Sequence, residues 1–189
     1  MSLYLIRHGA TDTSGKTFAG RSDVPLNAEG QRMARAIANE LASIPIEQIV
    51  SSPLSRAVQT AHPLAERLGL DIKEDPRLLE LDFGVYEGRP KSELGLKLRK
   101  SHAFRPVPGG EALIDAWHRA GAFLRSLQPA GRDVAIIGHY WINRMIYGHY
   151  LCLDFDSACR SRAYRPNTGS VIELRSDGPS CAQTKASSS

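Results

Sequence analysis

Two histidines stand where an imidazole can do chemistry. The apolar run Leu3-Tyr4-Leu5-Ile6 gives out into Arg7-His8-Gly9, and the run Val134-Ala135-Ile136-Ile137 ends in Gly138-His139. A short apolar run closed by a glycine turn predicts a buried strand, and ligands of open α/β sheets bind outside the carboxyl ends of the strands. An imidazole placed there can attack phosphorus, and an adjacent guanidinium can hold phosphate oxygens with two parallel hydrogen bonds. In a parallel sheet those ends lie along one edge, so His8 and His139 are expected to converge. A lone His-Gly pair is common and carries little weight. The surrounding pattern carries more.

The elements that must position these residues alternate between apolar runs and helical patterns, which predicts an α/β layer fold. Residues 3–6 read as a first buried strand. Asn27 caps a helix with the apolar stripe Met33, Ala34, Ile37, Ala38 and Leu41. A second strand covers residues 48–51. Ser52-Pro53 is expected to start a second helix with proline in its first turn, Pro63 to kink or divide it, and Gly69 to close it. A third strand is expected at residues 70–74, then an extended or irregular stretch at 77–83. Residues 91–110, rich in Lys, Arg, Pro and Gly, read as a helical turn and a long loop, and long loops are often functional. A third helix over 111–127 carries Ala112, Ala116, Ala120, Phe123 and Leu124 on one side. Residues 133–138 form the clearest buried strand, followed by a helix through Tyr147, and residues 170–174 make a last strand. The Ser-rich tail, 176–189, is predicted to fray. The expected architecture is a single α/β domain over residues 1–175, a three-layer α/β/α sandwich with a mostly parallel sheet and helices on both faces.

Composition narrows the function classes. The chain has 189 residues and a formal charge of +4, enough for a full core and too mild a charge to require a nucleic-acid partner. No stretch approaches a membrane span and no signal-peptide core is visible near the start. Cys152, Cys159 and Cys181 form no C-x-x-C pair. That pattern fits a reducing cytoplasm and argues against structural zinc.

The pattern extends well beyond the first histidine. Leu5-Ile6-Arg7-His8-Gly9-Ala10-Thr11 is followed by Gly20-Arg21-Ser22-Asp23-Val24-Pro25-Leu26-Asn27-Ala28-Glu29-Gly30. Then come Ser51-Ser52-Pro53-Leu54-Ser55-Arg56-Ala57-Val58-Gln59-Thr60-Ala61 and Leu79-Glu80-Leu81-Asp82-Phe83-Gly84-Val85-Tyr86-Glu87-Gly88, with Pro108-Gly109-Gly110-Glu111 and Ala135-Ile136-Ile137-Gly138-His139 last. In this order the blocks resemble the histidine phosphatase superfamily, which includes the cofactor-dependent phosphoglycerate mutases.

The resemblance implies a phosphohistidine mechanism without metal or cofactor, acting on a small phosphorylated substrate. His8 would attack phosphorus, with Arg7, Arg56 and His139 around the non-bridging oxygens. Glu80 would protonate the leaving oxygen and later activate water, which requires a carboxyl pKa raised by burial or by phosphate charge. Phosphoryl transfer needs mainly positioning and charge stabilisation, so such a cluster is chemically sufficient. Asp82 and Glu87 are rivals to Glu80, which is preferred because it stands four residues before Gly84. Arg21 is read as a substrate ligand, with bracing of the Gly20 loop through Asp23 as the other reading. Thr11 and Ser14 line the pocket or tie the loop. His62, His102, His118 and His149 read as surface or packing residues, and Lys91, Lys97, Arg99, Lys100 and Arg105 as a solvated face or an anion-attracting lid.

Three departures from the family pattern stand out. Ser14 takes the place of an asparagine that cradles phosphate in many relatives. Ala112 follows Glu111 where a serine is frequent, leaving Glu111 a helix N-terminal role. Tyr140-Trp141 follows the second histidine where most relatives have glycine, so the pair either reshapes the pocket or packs away from it. Within the family the alternative activity is a mutase, whose extra segments close over a bisphosphate while this chain is compact. A weakly catalytic phosphate-recognition module is the alternative outside catalysis, and retention of an acid at Glu80 argues against it.

Overall fold

The first strand, β1 (Ser2–Arg7), shows why the chain layers as it does. Leu3 and Leu5 point into one buried cluster, while Tyr4 and Ile6 point into another on the opposite side. A strand apolar on both faces must be covered on both. A computed structural model gives the fold and describes residues 2–94, 97–127 and 132–175. The other strands are β2 (Gln48–Ser51), β3 (Ile72–Glu74), β4 (Val134–Gly138) and β5 (Val171–Arg175), in the order β3-β2-β4-β1-β5. All neighbours pair in parallel except β5, which runs antiparallel to β1.

Seven helices are described: α1 (Ala28–Glu40), α2 (Ser55–Leu68), α3 (Lys91–Leu94), α4 (Lys97–Ser101), α5 (Leu113–Leu127), α6 (Tyr140–Tyr150) and α7 (Phe155–Arg160). Ile37 and Ala38 of α1 and Ala57, Ala61 and Leu64 of α2 meet Tyr4, Ile6 and Ile137. Ala116, Ala120 and Phe123 of α5 and Met145 and Ile146 of α6 meet Leu3, Leu5 and Ile136 on the other face. Each such aliphatic side chain contributes about 1.5–3 kcal/mol by leaving water, and the result is the three-layer sandwich expected.

Register then brings the two histidines together. Ile6 pairs with Ile137 and Arg7 with Gly138, so His8 and His139 are the next residues on adjacent parallel strands. The His8 amide still donates to the Gly138 carbonyl at 3.0 Å. Asn143, one turn into α6, donates to the Ile6 carbonyl at 3.0 Å and fastens that helix to β1. Gly9 is required for packing rather than for its backbone angles. A β-carbon there would lie 2.6 Å from the Gly30 carbonyl oxygen at the start of α1.

Several local expectations change. The second helix begins at Ser55, not at Ser52-Pro53, because the Ser52 amide continues the sheet by donating to the Ile137 carbonyl at 2.9 Å. Asp23 supplies the cap, accepting from the Ser55 amide and hydroxyl at 2.7 Å each. Pro63 does not divide this helix, which runs unbroken to Leu68. The carbonyl that proline leaves unpartnered belongs to Gln59, an exposed residue that water can serve. Gly69, at φ 66°, closes the helix as expected. The third strand is shorter at its start, and α5 begins at Leu113, two residues after Glu111. α7 was not expected at all. It is six residues long, and Asp154 caps it by accepting from the Ser157 amide at 2.7 Å. The tail 176–189, with Cys181, lies outside the described residues, as does the side chain of Lys97. Among the described residues no helix is long and apolar enough to cross a membrane.

Candidate active site

A cavity of about 270 Å³ opens at the carboxyl ends of β1 and β4, and its walls include Arg7, His8, Thr11, Ser14, Arg56, Glu80, Lys91 and Tyr140. His8 is only 8 % exposed. Its Nδ1 lies 2.7 Å from the Gly9 carbonyl oxygen, which can only accept, so Nδ1 carries the proton. Burial, with the Arg56 guanidinium next in weight, pushes the imidazole pKa down to about 3. His8 is therefore neutral near pH 7, and its Nε2 lone pair has no protein partner among the described residues. The turn that presents it is held by Thr60, whose hydroxyl accepts from the Gly9 amide at 3.0 Å and donates to the Arg56 carbonyl at 2.7 Å.

His139 is fully buried, its ring centroid 5.0 Å from that of His8. Arg56 Nε donates to its Nδ1 at 3.3 Å, so the proton sits on Nε2, which donates to the Ser52 hydroxyl at 2.8 Å. Both ring nitrogens are thus engaged within the protein. Burial and the Arg56 charge hold this imidazole well below its ordinary pKa. Arg56 is 1 % exposed and also donates to the Ser22 and Gly20 carbonyls, at 2.8 and 2.7 Å. Three of the five guanidinium N–H groups are spent in this way, and two remain for a ligand.

Glu80 occupies the amino end of α6. Its carboxylate accepts from the Trp141 amide at 3.1 and 3.3 Å and from the Ile142 amide at 3.4 Å, besides the Leu81 amide at 3.0 Å. His139, the residue preceding the helix, offers no side-chain cap, so Glu80 does that work from another segment. Burial raises the carboxyl pKa, against the lowering pull of the Leu81 amide and of Arg56 and Arg7. One carboxyl group thus caps a helix when ionised and is biased towards carrying a proton.

Arg7 donates to the Pro166 carbonyl at 2.8 Å and lies 5.3 Å over the Tyr140 ring. Tyr140 and Trp141 both line the cavity, and Trp141 also packs against the buried cluster beneath it. They meet edge to face at 5.4 Å, and the Tyr140 hydroxyl accepts from Arg144 at 2.8 Å. Thr11 and Ser14 do both things expected of them. They line the cavity, and their hydroxyls lie 3.1 Å apart, while Ser14 accepts from the Thr11 amide at 2.9 Å.

Several expectations fall elsewhere. Arg21 is not in the cavity wall; its guanidinium pairs with Asp82 at 3.5 Å and Glu111 at 3.4 Å. Asp23, the other partner considered for it, caps α2 instead. Asp82 accepts from the Gly84 amide, and Glu87 accepts from the amides of Arg21 and Ser22, so both rivals of Glu80 serve as braces. Glu111 spends its carboxylate on Arg119 at 2.8 Å rather than on the helix end, where Asp115 accepts from the Ala112 amide. His149 stacks on Trp117 at 3.6 Å, His102 contacts the Pro106 carbonyl, and His62 and His118 are exposed. Lys91 leaves the charge run to line the cavity, where burial lowers its ammonium pKa. Thr17 also lines it, with a buried hydroxyl that has no partner. Thr17 was not singled out in sequence, although it lies between two blocks that were. Among the described residues no set of three His, Cys, Asp or Glu side chains gathers as metal ligands would.

The site therefore presents a neutral imidazole with a free lone pair, three cationic side chains and one carboxyl group. Known proteins share this frame. A structure of mycobacterial glucosyl-3-phosphoglycerate phosphatase superposes with a TM-score of 0.80 at 27 % identity, covering 91 % of this chain and 88 % of that one. The α-ribazole phosphatase of Shigella flexneri shares the fold, with a TM-score of 0.80 at 22 % identity over 93 % of this chain and 90 % of that one. Among curated sequences, the Proteus mirabilis protein named "Probable phosphoglycerate mutase GpmB" is 36 % identical over 137 residues, 67 % of this chain. The matched region spans 62 % of that relative's own length. The family model described as histidine phosphatase superfamily (branch 1) matches residues 3–186, and the chain belongs to that superfamily.

Proposed function

We propose that the chain is a phosphatase that hydrolyses a small phosphate ester through a phosphohistidine on His8. The observation that carries this reading is the protonation state of His8. Its proton is fixed on Nδ1 by the Gly9 carbonyl, while Nε2 is free, neutral and set in a cavity with Arg7, Arg56 and Lys91. Nε2 attacks phosphorus as the ester P–O bond breaks, and protonated Glu80 gives its proton to the leaving oxygen. Water then attacks the phosphohistidine, Glu80 takes its proton, and the P–N bond electrons return to Nε2. The guanidinium and ammonium groups offset the charge on the equatorial oxygens. His139 acts behind this layer by orienting Arg56. The named phosphatase among the similar structures supports the reading.

The experiment is phosphate release from a panel of phosphomonoesters with chelator present, comparing wild type with His8→Ala. Release that survives chelator and disappears with His8 is the expected result. The curated relative named as a mutase keeps a second reading in play. Isomerisation of 3-phosphoglycerate in the presence of 2,3-bisphosphoglycerate would favour it over hydrolysis.

A further inference from the structure

A second cavity, of about 400 Å³, shares Arg7, Tyr140 and Trp141 with the first and adds Arg99, Arg144 and Arg165. No Asp or Glu is among the residues that line it. Four guanidinium groups around one hollow without a carboxylate is an unusual charge arrangement, because like charges repel and are ordinarily interleaved with acids. None of the four forms an ion pair among the described residues, although other arginines of the chain do.

Arg144 is the anchor. It is 3 % exposed, and its terminal nitrogens donate to the carbonyls of Ala158, Cys159, Ser161 and Tyr164 and to the Tyr140 hydroxyl. The rings of Tyr140, Trp141 and Tyr164 lie 5.2–5.7 Å from its guanidinium carbon. Its hydrogen bonds are largely met, but its charge is not neutralised, and Nε has no partner. Arg99 and Arg165 are exposed at the mouth, and Arg7 stands in the common wall with the catalytic cavity.

We propose that this cavity is a subsite for a second anionic group, carboxylate or phosphate, on the same molecule whose phosphoryl group is held at His8. The inference rests on the phosphatase reading, because only a ligand seated at His8 makes the shared wall meaningful. Arg7 then faces an anion on each side of Tyr140, and the substrate class narrows to esters with an anionic tail. Arginine is suited to either tail, since its planar fork matches both carboxylate and phosphate.

The test compares three esters: 3-phosphoglycerate with a carboxylate tail, fructose 1,6-bisphosphate with a phosphate tail, and glycerol 3-phosphate with a neutral one. Wild type should favour at least one anionic arm over the neutral arm by about tenfold in kcat/KM, the scale of one charge-assisted hydrogen bond. The favoured arm identifies the tail. In Arg99→Gln and Arg165→Gln the ratio should fall towards one, mainly through KM. No preference in wild type, or a preference that survives in both variants, overturns the proposal. If no ester is hydrolysed, the phosphatase reading fails separately, and calorimetric titration with inorganic phosphate tests the subsite alone. Two phosphates per wild-type chain and one in the double variant would support it; one in both would overturn it.

Discussion

The turns that end β1 and β4 invite comparison because they are built alike and do different things. Each delivers a histidine next to a glycine at the carboxyl end of a central parallel strand, and the two rings sit 5.0 Å apart. Their neighbours differ. His8 meets a carbonyl oxygen on one nitrogen and leaves the other free, whereas His139 is held by a donor on one side and a hydroxyl on the other. The residue type and topological place are shared, so the hydrogen-bond partners decide which ring keeps a free lone pair and which is held on both nitrogens. The difference turns on a carbonyl oxygen beside one ring and a guanidinium beside the other.

That comparison can be broken most directly by removing each ring in turn. His8→Ala should cost about 10⁴-fold or more in kcat and abolish the acid-labile phosphoenzyme, as loss of a nucleophile does. His139→Ala should cost about 10²-fold, the scale of one misplaced oxyanion donor, while the phosphoenzyme still forms in rapid-quench labelling. Equal losses with no phosphoenzyme in either variant would erase the distinction. Glu80→Gln should slow turnover by about 10²–10⁴-fold. The proposed mechanism needs Glu80 protonated, and burial raises its pKa, so kcat/KM should fall as pH rises through that raised value, and this alkaline limb should vanish in the variant. Because His8 titrates near 3, kcat should show no acid limb at the ordinary imidazole value of about 6.5.

A finer cut is Ser52→Ala, which leaves His139 Nε2–H buried without an acceptor. It should destabilise the fold by about 1–3 kcal/mol in denaturant titration and lower kcat less than His139→Ala. Smallest is Arg21→Gln, outside the cavity and tied to Asp82 and Glu111. It should leave KM within about twofold and cost under about 1 kcal/mol, as partly exposed ion pairs do.

Much of this site could be read from the chain because it hangs on strands. Unbroken apolar runs such as Leu3-Tyr4-Leu5-Ile6 and Val134-Ala135-Ile136-Ile137 have few ways to be buried, and the residue after each run is then placed. Side chains whose partners come from distant segments were less legible. Nothing near Glu80 in sequence shows that it would cap α6, sixty-one residues later. Arg21 and Lys91 exchanged expected places for the same reason. The carboxylates of Asp82 and Glu111 captured the arginine, while the lysine at the start of α3 turned inward. α7 escaped notice because six residues bury too little to leave a periodic signal, although Asp154 three residues before Ser157 marks its cap.

The antiparallel course of β5 has a consequence for routing. Its first residue, Val171, pairs with Ile6 at the end of β1, so the chain must arrive at the finishing end of the other strands. A parallel last strand would have been entered from the opposite rim, and the segment before it would never approach the histidines. As built, residues 161–169 are drawn across the reactive rim. The Gly169 amide donates to the Arg7 and His8 carbonyls at 3.0 Å, and the Pro166 carbonyl accepts a hydrogen bond from the Arg7 guanidinium. Length changes in this connection would therefore reshape the rim beside Arg7 and His8, and with it the molecules that the cavity can admit.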